Sequence, residues 1–137
     1  MSVYKLIRVR DVMKRNFDLV DGMDTVQSAL QTMLHVETKS LIVKKRNDDD
    51  EYGMVLLSDI ARQVLAVDRA PERVNIYEIM TKPVLTISPE MDIRYCARMF
   101  SQFDLSRAPV VENGEVVGII SHTDMVLKGL CKQIGIT

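Results

Sequence analysis

Three side chains near the C-terminal end of the sequence have the types and spacing needed to hold a nucleoside. Ser121, Thr123 and Asp124 follow a run of apolar residues and open a helical pattern. A carboxylate can accept hydrogen bonds from both adjacent hydroxyls of a ribose, as an acidic residue does in dinucleotide-binding folds. Backbone N–H groups at a helix start are unpaired and can bind phosphate or ribose oxygens. The alternative is helix capping, because Ser, Thr and Asp are preferred at helix N-termini in general.

The apolar run before these polar residues could form one wall of a nucleoside site. Ile119 and Ile120 offer apolar surface for one face of a purine, and Gly118 could allow close approach of a ligand or of backbone. The sequence contains no Ser-His-Asp order, P-loop or glycine-rich dinucleotide motif. Its two histidines, His35 and His122, are far apart and lack clustered acids. We therefore expect no catalytic residues, no metal site, no required cofactor and no enzymatic activity.

The elements that position these residues occur twice in the chain. Blocks of matching apolar and polar character recur in the same order, separated in each copy by a helical pattern. The register slips by two residues only in the polar run 45–51, where a loop tolerates an insertion. The matched blocks are 9–13 with 76–80, 53–55 with 118–120, and 58–59 with 123–124.

Each copy predicts the element order β-α-β-β-α. In the second copy we predict strands at 83–87, 108–112 and 115–120, a helix at 89–103 capped by Ser88, and a helix at 121–130. Asn113-Gly114 predicts a tight hairpin turn. In the first copy we predict strands at 17–20, 41–44 and 52–57 and helices at 25–35, capped by Asp24, and 58–66.

The repeats define the expected fold class and domain organisation. We expect an α/β (α+β) protein in which two β-α-β-β-α repeats pack with pseudo-twofold symmetry, because neither copy has much core of its own. Residues 1–67 form repeat 1 with an N-terminal lead-in, 68–75 form a linker that contains Pro71, and 76–137 form repeat 2 with a C-terminal tail.

The paired repeats resemble a tandem pair of cystathionine-β-synthase (CBS) domains, known as a Bateman module. Residues 77–81, 107–111 and 118–124 carry the resemblance, and the last block resembles the nucleotide-contact motif of the family. The resemblance implies a non-catalytic regulatory module that binds AMP, ADP, ATP or S-adenosylmethionine in clefts between the repeats. It also implies a homodimer. Because the sequence carries no attached transporter, kinase or dehydrogenase domain, we expect the regulated protein, if one exists, to act in trans.

The resemblance further implies which residues line each cleft. Asp124, with Thr123, Ser121 and Ile120, would face Asn16, Ser40 and Ile42. Asp59, with Ser58, would face Val84, Arg107 and Pro109.

The first copy departs from the motif. Leu56 stands where Ser121 stands in the second copy, so one hydroxyl contact is replaced by an apolar side chain. We expect the Asp59 cleft to bind a ligand more weakly, differently or not at all. For Asp59, helix capping explains the residue as well as ligand binding does.

The charged residues leave the nature of the ligand open. Arg107 suits phosphate geometry, although a surface ion pair with Asp104 or Glu112 would explain it equally well. Lys39 is the matching cation near the other cleft, with a solvated lysine as the simpler reading. Glu37 and Asp104 precede the second strand of each repeat, where a carboxylate would repel phosphate.

The overall composition is that of an ordinary globular protein. The chain has 137 residues and a net charge of -1, which gives no electrostatic basis for binding nucleic acid or an anionic membrane. Its apolar runs are too short to span a membrane. Two cysteines without a partner at metal or redox spacing suggest reduced thiols and a cytoplasmic protein. The alternative function is a ligand-free module for dimerisation or partner docking.

Overall fold

The chain forms two compact units whose boundaries do not coincide with those of the sequence repeats. The computed structural model describes residues 5–136. Asn16–Val84 form one unit, which we call the first-repeat unit. Residues 5–15 and 85–136 form the second-repeat unit. The lead-in to each repeat, before its first strand, therefore packs in the unit built by the other repeat.

The strands and helices of the chain have the following bounds. The strands are β1 Leu19–Val20, β2 Ser40–Val43, β3 Gly53–Leu56, β4 Arg107–Glu112 and β5 Glu115–Ser121. Within residues 5–136 the α-helices are α1 Val9–Val12, α2 Val26–Thr32, α3 Leu57–Ile60, α4 Ile93–Phe103, α5 His122–Asp124 and α6 Cys131–Gln133. Wider π-helical turns continue α3 and α5 over Ala61–Leu65 and Met125–Leu130, and 3₁₀ turns occupy Val36–Thr38, Pro71–Arg73 and Ile76–Glu78.

In both units an antiparallel strand pair carries the polar residues singled out above. β2 pairs with β3, placing Ser40 opposite Leu56, and β4 pairs with β5, placing Arg107 opposite Ser121. The first strand of each pair also has a parallel neighbour. β1 pairs with β2, and in the second-repeat unit Ile87 forms a single parallel bridge with Val110 of β4. The returning strand of each pair is bridged by the lead-in of the other repeat, through Thr81 or Lys14.

Each unit has its own apolar core, and each core includes residues of a lead-in. Val9, Val12 and Met13 are buried with Cys96 and Phe100 in the second-repeat unit. In the first-repeat unit the lead-in residues Ile76 and Ile79 are likewise buried in the core. Because these side chains are fully or almost fully removed from water, each lead-in is an integral part of its unit rather than a flexible linker.

Glycine at the start of two matched blocks permits this lead-in packing. A Cβ at Gly118 would lie 2.6 Å from the carbonyl oxygen of Lys14, and one at Gly53 would lie 3.2 Å from the carbonyl oxygen of Thr81. The first distance is too short for any side chain, so Gly118 serves close backbone approach.

Several predicted boundaries are corrected by the structure. The helix predicted at 89–103 begins at Ile93, because the Asp92 carboxylate accepts a hydrogen bond from the Arg94 N–H at 2.9 Å and caps it. Ser88, predicted as the cap, instead stabilises a turn by accepting from the Glu90 N–H at 3.2 Å. The strand predicted at 83–87 is reduced to the bridge at Ile87.

The predicted helix at 25–35 also differs in the structure. It is capped by Thr25 rather than by Asp24 and ends at Thr32 rather than at residue 35. The Thr25 hydroxyl accepts from the Ser28 N–H at 3.0 Å, whereas the Asp24 carboxylate stabilises the preceding turn. The predicted hairpin is confirmed, since Asn113 and Gly114 both have positive φ, 54° and 80°.

Candidate functional site

The end of β5 brings Ser121 and Asp124 into one small cluster. Ser121 is the last residue of the strand, and its hydroxyl accepts a hydrogen bond from the Asp124 N–H at 3.1 Å. This is a helix cap, so the capping interpretation holds for Ser121. It does not account for the Asp124 carboxylate, which forms ion pairs with Lys14 and Lys128.

The Asp124 carboxylate is buried and faces two lysines. Its side chain is 6% exposed, and Lys14 donates to Oδ2 at 2.5 Å. Lys128 lies 3.7 Å from Oδ1, which is an ion-pair distance longer than a normal hydrogen bond. Lys14 is held in place because its backbone pairs with Ile119 in both directions at 2.9 Å. A buried carboxylate of this kind is stable only with such cationic partners.

Arg107 is the third cation of this cluster. It lies directly opposite Ser121 in the sheet, and its charge interacts with that of Asp124. Partial burial lowers the pKa of the Arg107 guanidinium, while the Asp124 carboxylate opposes that shift. Arg107 thus belongs to the Asp124 cluster within the second-repeat unit. Its predicted place beside Asp59 stays a prediction.

Two exposed residues, His122 and Thr123, lie between Ser121 and Asp124 in the sequence. Thr123 is exposed at the start of α5. His122 is also exposed, as expected for a first-turn histidine, and its Nδ1 lies 2.9 Å from the Ser106 carbonyl oxygen. Thr123 is therefore accessible to a bound molecule, whereas His122 is already in contact with backbone.

The matching position in the first-repeat unit is engaged in a different way. Asp59 is buried, and its Oδ2 accepts from the Leu56 N–H at 2.9 Å, which caps the start of α3. Its other oxygen forms a short ion pair with Arg62. Opposite Leu56, the buried Ser40 hydroxyl donates to the Thr38 carbonyl at 3.2 Å. The capping interpretation therefore describes Asp59 in this structure.

The remaining predicted site residues vary in accessibility. Ile120 and Ile42 are fully buried, and Ile120 packs in the core of the second-repeat unit. Asn16 and Ser58 are exposed, Pro109 is buried and Val84 is partly buried. Their ligand contacts stay predictions.

Two lysines of the Asp124 cluster were missed by the sequence reasoning. Lys14 occupies the position that Thr81 occupies in the other lead-in, and Lys128 lies four residues after Asp124. The helical spacing of Asp124 and Lys128 was a readable signal, since residues four apart share a face. Lys14 could not be found from spacing, because its proximity depends on which unit the lead-in joins.

Two further properties concern the described part of the chain. No group of three or more His, Cys, Asp or Glu side chains that could hold a metal ion occurs within residues 5–136. Over the same stretch, none of the helices has the length and apolar character required to cross a membrane.

Comparison with known proteins decides the family. The profile of the CBS domain matches this chain twice, at residues 9–66 and 76–129. The chain belongs to the CBS domain family. The two matches correspond to the two sequence repeats, so the chain holds a tandem CBS pair with an α+β fold. CBS pairs are in general regulatory rather than catalytic.

Solved structures support the fold of this CBS pair. A hexameric CBS-CP12 protein from bloom-forming cyanobacteria superposes with a TM-score of 0.87 and 34% identity, covering 93% of this chain and 70% of that one. Another CBS domain pair, solved in complex with 5′-methylthioadenosine and S-adenosyl-L-methionine, has a TM-score of 0.77 and 22% identity. It covers 93% of this chain and 99% of that chain, and the likeness shows the fold.

Curated relatives are longer than this CBS pair. An uncharacterised protein of Methanopyrus kandleri is 25% identical, covering 88% of this chain and 61% of its own length. A homoserine O-acetyltransferase of Methanococcus vannielii is 27% identical over 82% of this chain but only 23% of its own length. Because the second match spans less than a quarter of that enzyme, it does not carry the acetyltransferase activity to this chain.

Proposed function

We propose that this CBS pair is a regulatory module that binds an adenosine-containing ligand at Asp124 and signals to a partner protein. The observation that carries the proposal is the buried Asp124 carboxylate at a strand-to-helix junction, paired with Lys14 and Lys128 and next in sequence to the exposed Thr123. A carboxylate in that position can accept from the two hydroxyls of a ribose. The family membership and the neighbour solved with two adenosyl compounds support this choice of ligand.

The charge of the cluster bears on which adenosyl ligand is bound. Lys14 and Lys128 form ion pairs with one carboxylate, and the charge of Arg107 also interacts with it, so the cluster has an excess of positive charge. That excess favours a ligand with an anionic group near its ribose, such as the phosphate of AMP, ADP or ATP. S-adenosylmethionine, which carries a carboxylate at the far end of its chain, is the alternative. Binding would bias the conformation that a partner reads.

The two halves of the pair are proposed to differ in occupancy. Asp59 already caps α3 and pairs with Arg62, and Leu56 provides no hydroxyl. A ligand at Asp59 would have to replace the contacts with the Leu56 N–H and with Arg62, whereas at Asp124 it would share the carboxylate with Lys14 and the more distant Lys128. The Asp124 site is therefore the stronger one.

Thermal unfolding with and without ligand tests the proposal. We expect AMP, ADP, ATP or S-adenosylmethionine at about 100 times its Kd to stabilise the protein by about 2.7 kcal/mol. Asp124→Asn should abolish the stabilisation, whereas Asp59→Asn, the matched control in the other repeat, should retain most of it. Absence of stabilisation by all four compounds, or an unchanged effect in Asp124→Asn, would show the proposal to be wrong.

A ligand-free module for dimerisation or partner docking is the alternative function. It is favoured by the pairing of both key carboxylates with cations in this structure. Light scattering separates the two functions. A stable homodimer whose mass and melting temperature ignore all four compounds supports the alternative, and a monomer counts against it.

A further inference from the structure

A cavity in the first-repeat unit lies where β1 and β2 end. Its volume is about 610 Å³, and it is lined by residues that directly follow both strands, including Asp21 and Lys44. β1 and β2 run parallel, so their carboxyl ends meet at this edge of the sheet. Crevices at the carboxyl ends of parallel strands are a common location for ligands in α/β proteins. Small-molecule sites have volumes of this size.

This cavity is separate from the position of Asp59. In the β2–β3 pair, Ser40 lies opposite Leu56 at one end and Val43 lies opposite Gly53 at the other. Asp59 follows the Leu56 end, whereas the cavity is lined by Val43 at the Gly53 end. A ligand here would therefore occupy a different edge of the sheet.

Three cations line the cavity, and one carboxylate fixes two of them. Asp50 accepts from Lys82 Nζ at 2.8 Å and from Arg46 Nε at 3.2 Å. These interactions, with Lys82 the strongest, hold the pKa of Asp50 well below its usual range. Within residues 5–136, no carboxylate lies within ion-pair distance of the third cation, Lys44.

The charge balance of the cavity remains positive. Asp50 offsets one of the three cations, and Asp21, which lines the cavity and accepts from the Met23 N–H at 2.9 Å, offsets another. The Asp50 contact uses the Nε of Arg46, so the outer N–H groups of this exposed guanidinium remain for other acceptors. A guanidinium with free outer N–H groups and an unpaired lysine match the geometry and charge of a phosphate group.

The apolar part of the cavity can hold the remainder of an organic molecule. Met80 and Tyr77 contribute apolar surface, and Tyr77 is half exposed. Tyr77 is positioned because its N–H donates to the Gly22 carbonyl at 2.9 Å. We propose that this cavity binds a small organic phosphomonoester, with its phosphate at Lys44 and Arg46 and its body against Tyr77.

Titration with phenyl phosphate, followed by two-dimensional amide NMR spectra, tests the proposal. We expect saturable shifts at the amides of Gly22, Lys44 and Tyr77. The double variant Lys44→Met, Arg46→Met should weaken binding at least about tenfold, because it removes both charged donors. Lys45→Met is the matched control, since Lys45 is adjacent but its ammonium lies over the Tyr52 ring at 5.0 Å.

Each outcome of this titration decides the proposal. Retained binding in Lys45→Met and in Asp59→Asn, together with loss in the double variant, supports it. Lys44→Gln serves in place of the double variant where that protein does not fold. Equal loss in Lys45→Met would reduce the effect to general charge, and equal binding of phenol would reduce it to apolar contact. Either result, or the absence of saturable shifts at these amides, overturns the proposal.

Discussion

The Asp124 carboxylate is where stability and ligand binding compete in this CBS pair. Its two lysine partners neutralise a buried negative charge, which would otherwise destabilise the fold. A ligand that binds Asp124 therefore acts on a carboxylate that is already satisfied. Its affinity has to come from additional contacts, such as those of a phosphate with the surrounding cations.

A double-mutant cycle should detect the Lys14–Asp124 pair. We expect Lys14→Met and Asp124→Asn to be coupled by about 1–2 kcal/mol in urea unfolding, because Lys14 is 25% and Asp124 is 6% exposed. Arg10 and Glu112, a pair at 3.0 Å whose side chains are 37% and 43% exposed, form the control, with coupling below about 1 kcal/mol. Equal coupling in both cycles would contradict the role assigned to burial.

The two cysteines should differ sharply in reactivity. Burial raises the pKa of the Cys96 thiol to about 11, whereas Cys131 is partly exposed. The thiolate is the reactive form, so at pH 8 Cys96 should be almost unreactive toward a disulfide reagent while Cys131 reacts readily. Cys131→Ser should remove the fast phase of labelling and Cys96→Ala should leave it unchanged. A fast phase that survives in Cys131→Ser would show that Cys96 is accessible.

Among the elements, β5 and the lead-in beside it approach so closely that their contact leaves no room for a side chain on the strand. Gly118 lies next to Ile119, which forms an antiparallel bridge with Lys14, and its counterpart Gly53 lies next to Met54, which forms one with Thr81. The same arrangement occurs in both units. It follows that each matched glycine has a packing role, independent of any ligand.

Alanine at the two matched glycines should have unequal effects. Gly118→Ala places a Cβ 2.6 Å from a backbone oxygen that cannot move without breaking the bridge to Ile119, so we expect a loss of at least about 2 kcal/mol. At Gly53 the contacts are 3.1 Å to the Met80 sulfur and 3.2 Å to the Thr81 oxygen, so the loss should be smaller. Urea unfolding measures both. A Gly53→Ala loss equal to that of Gly118→Ala would contradict this packing argument.

In the whole molecule, the lead-in of each sequence repeat belongs to the unit that the other repeat builds. Residues 5–15, which precede repeat 1, complete the core of the unit built by repeat 2. Residues 76–84, which begin repeat 2, belong to the first-repeat unit. Each core is therefore built from residues of both sequence repeats.

Hydrogen exchange can verify this exchange of segments. Val12→Ala removes buried apolar volume from the second-repeat core, at a cost of about 2 kcal/mol, although Val12 belongs to the sequence of repeat 1. We expect its largest loss of amide protection in β4 and β5. Ile76→Ala is the reciprocal variant and should act most strongly on β2 and β3. Loss of protection confined to each variant's own sequence repeat would contradict the assignment.

Much of this CBS pair is determined locally, and so was predictable from the sequence. The hairpin at Asn113-Gly114 depends only on two adjacent residues that tolerate positive φ. The start of α5 depends on Ser121 and the residues just after it. The start of α4 was misplaced because two capping candidates, Ser88 and Asp92, lie close together and tertiary packing selected the second.

The sequence by itself determined the repeat, the family and the difference between the two copies, in which Leu56 stands where Ser121 precedes Asp124. These follow from residue types in a fixed order. Only the tertiary structure decided which lead-in completes which core, and hence that Lys14 neutralises Asp124 across 110 residues of sequence. It also separated Asp59, a helix cap paired with Arg62, from Asp124, a carboxylate paired with distant and local cations. The physical reason is that such a pairing depends on backbone segments brought together by packing, which spacing along the chain does not encode.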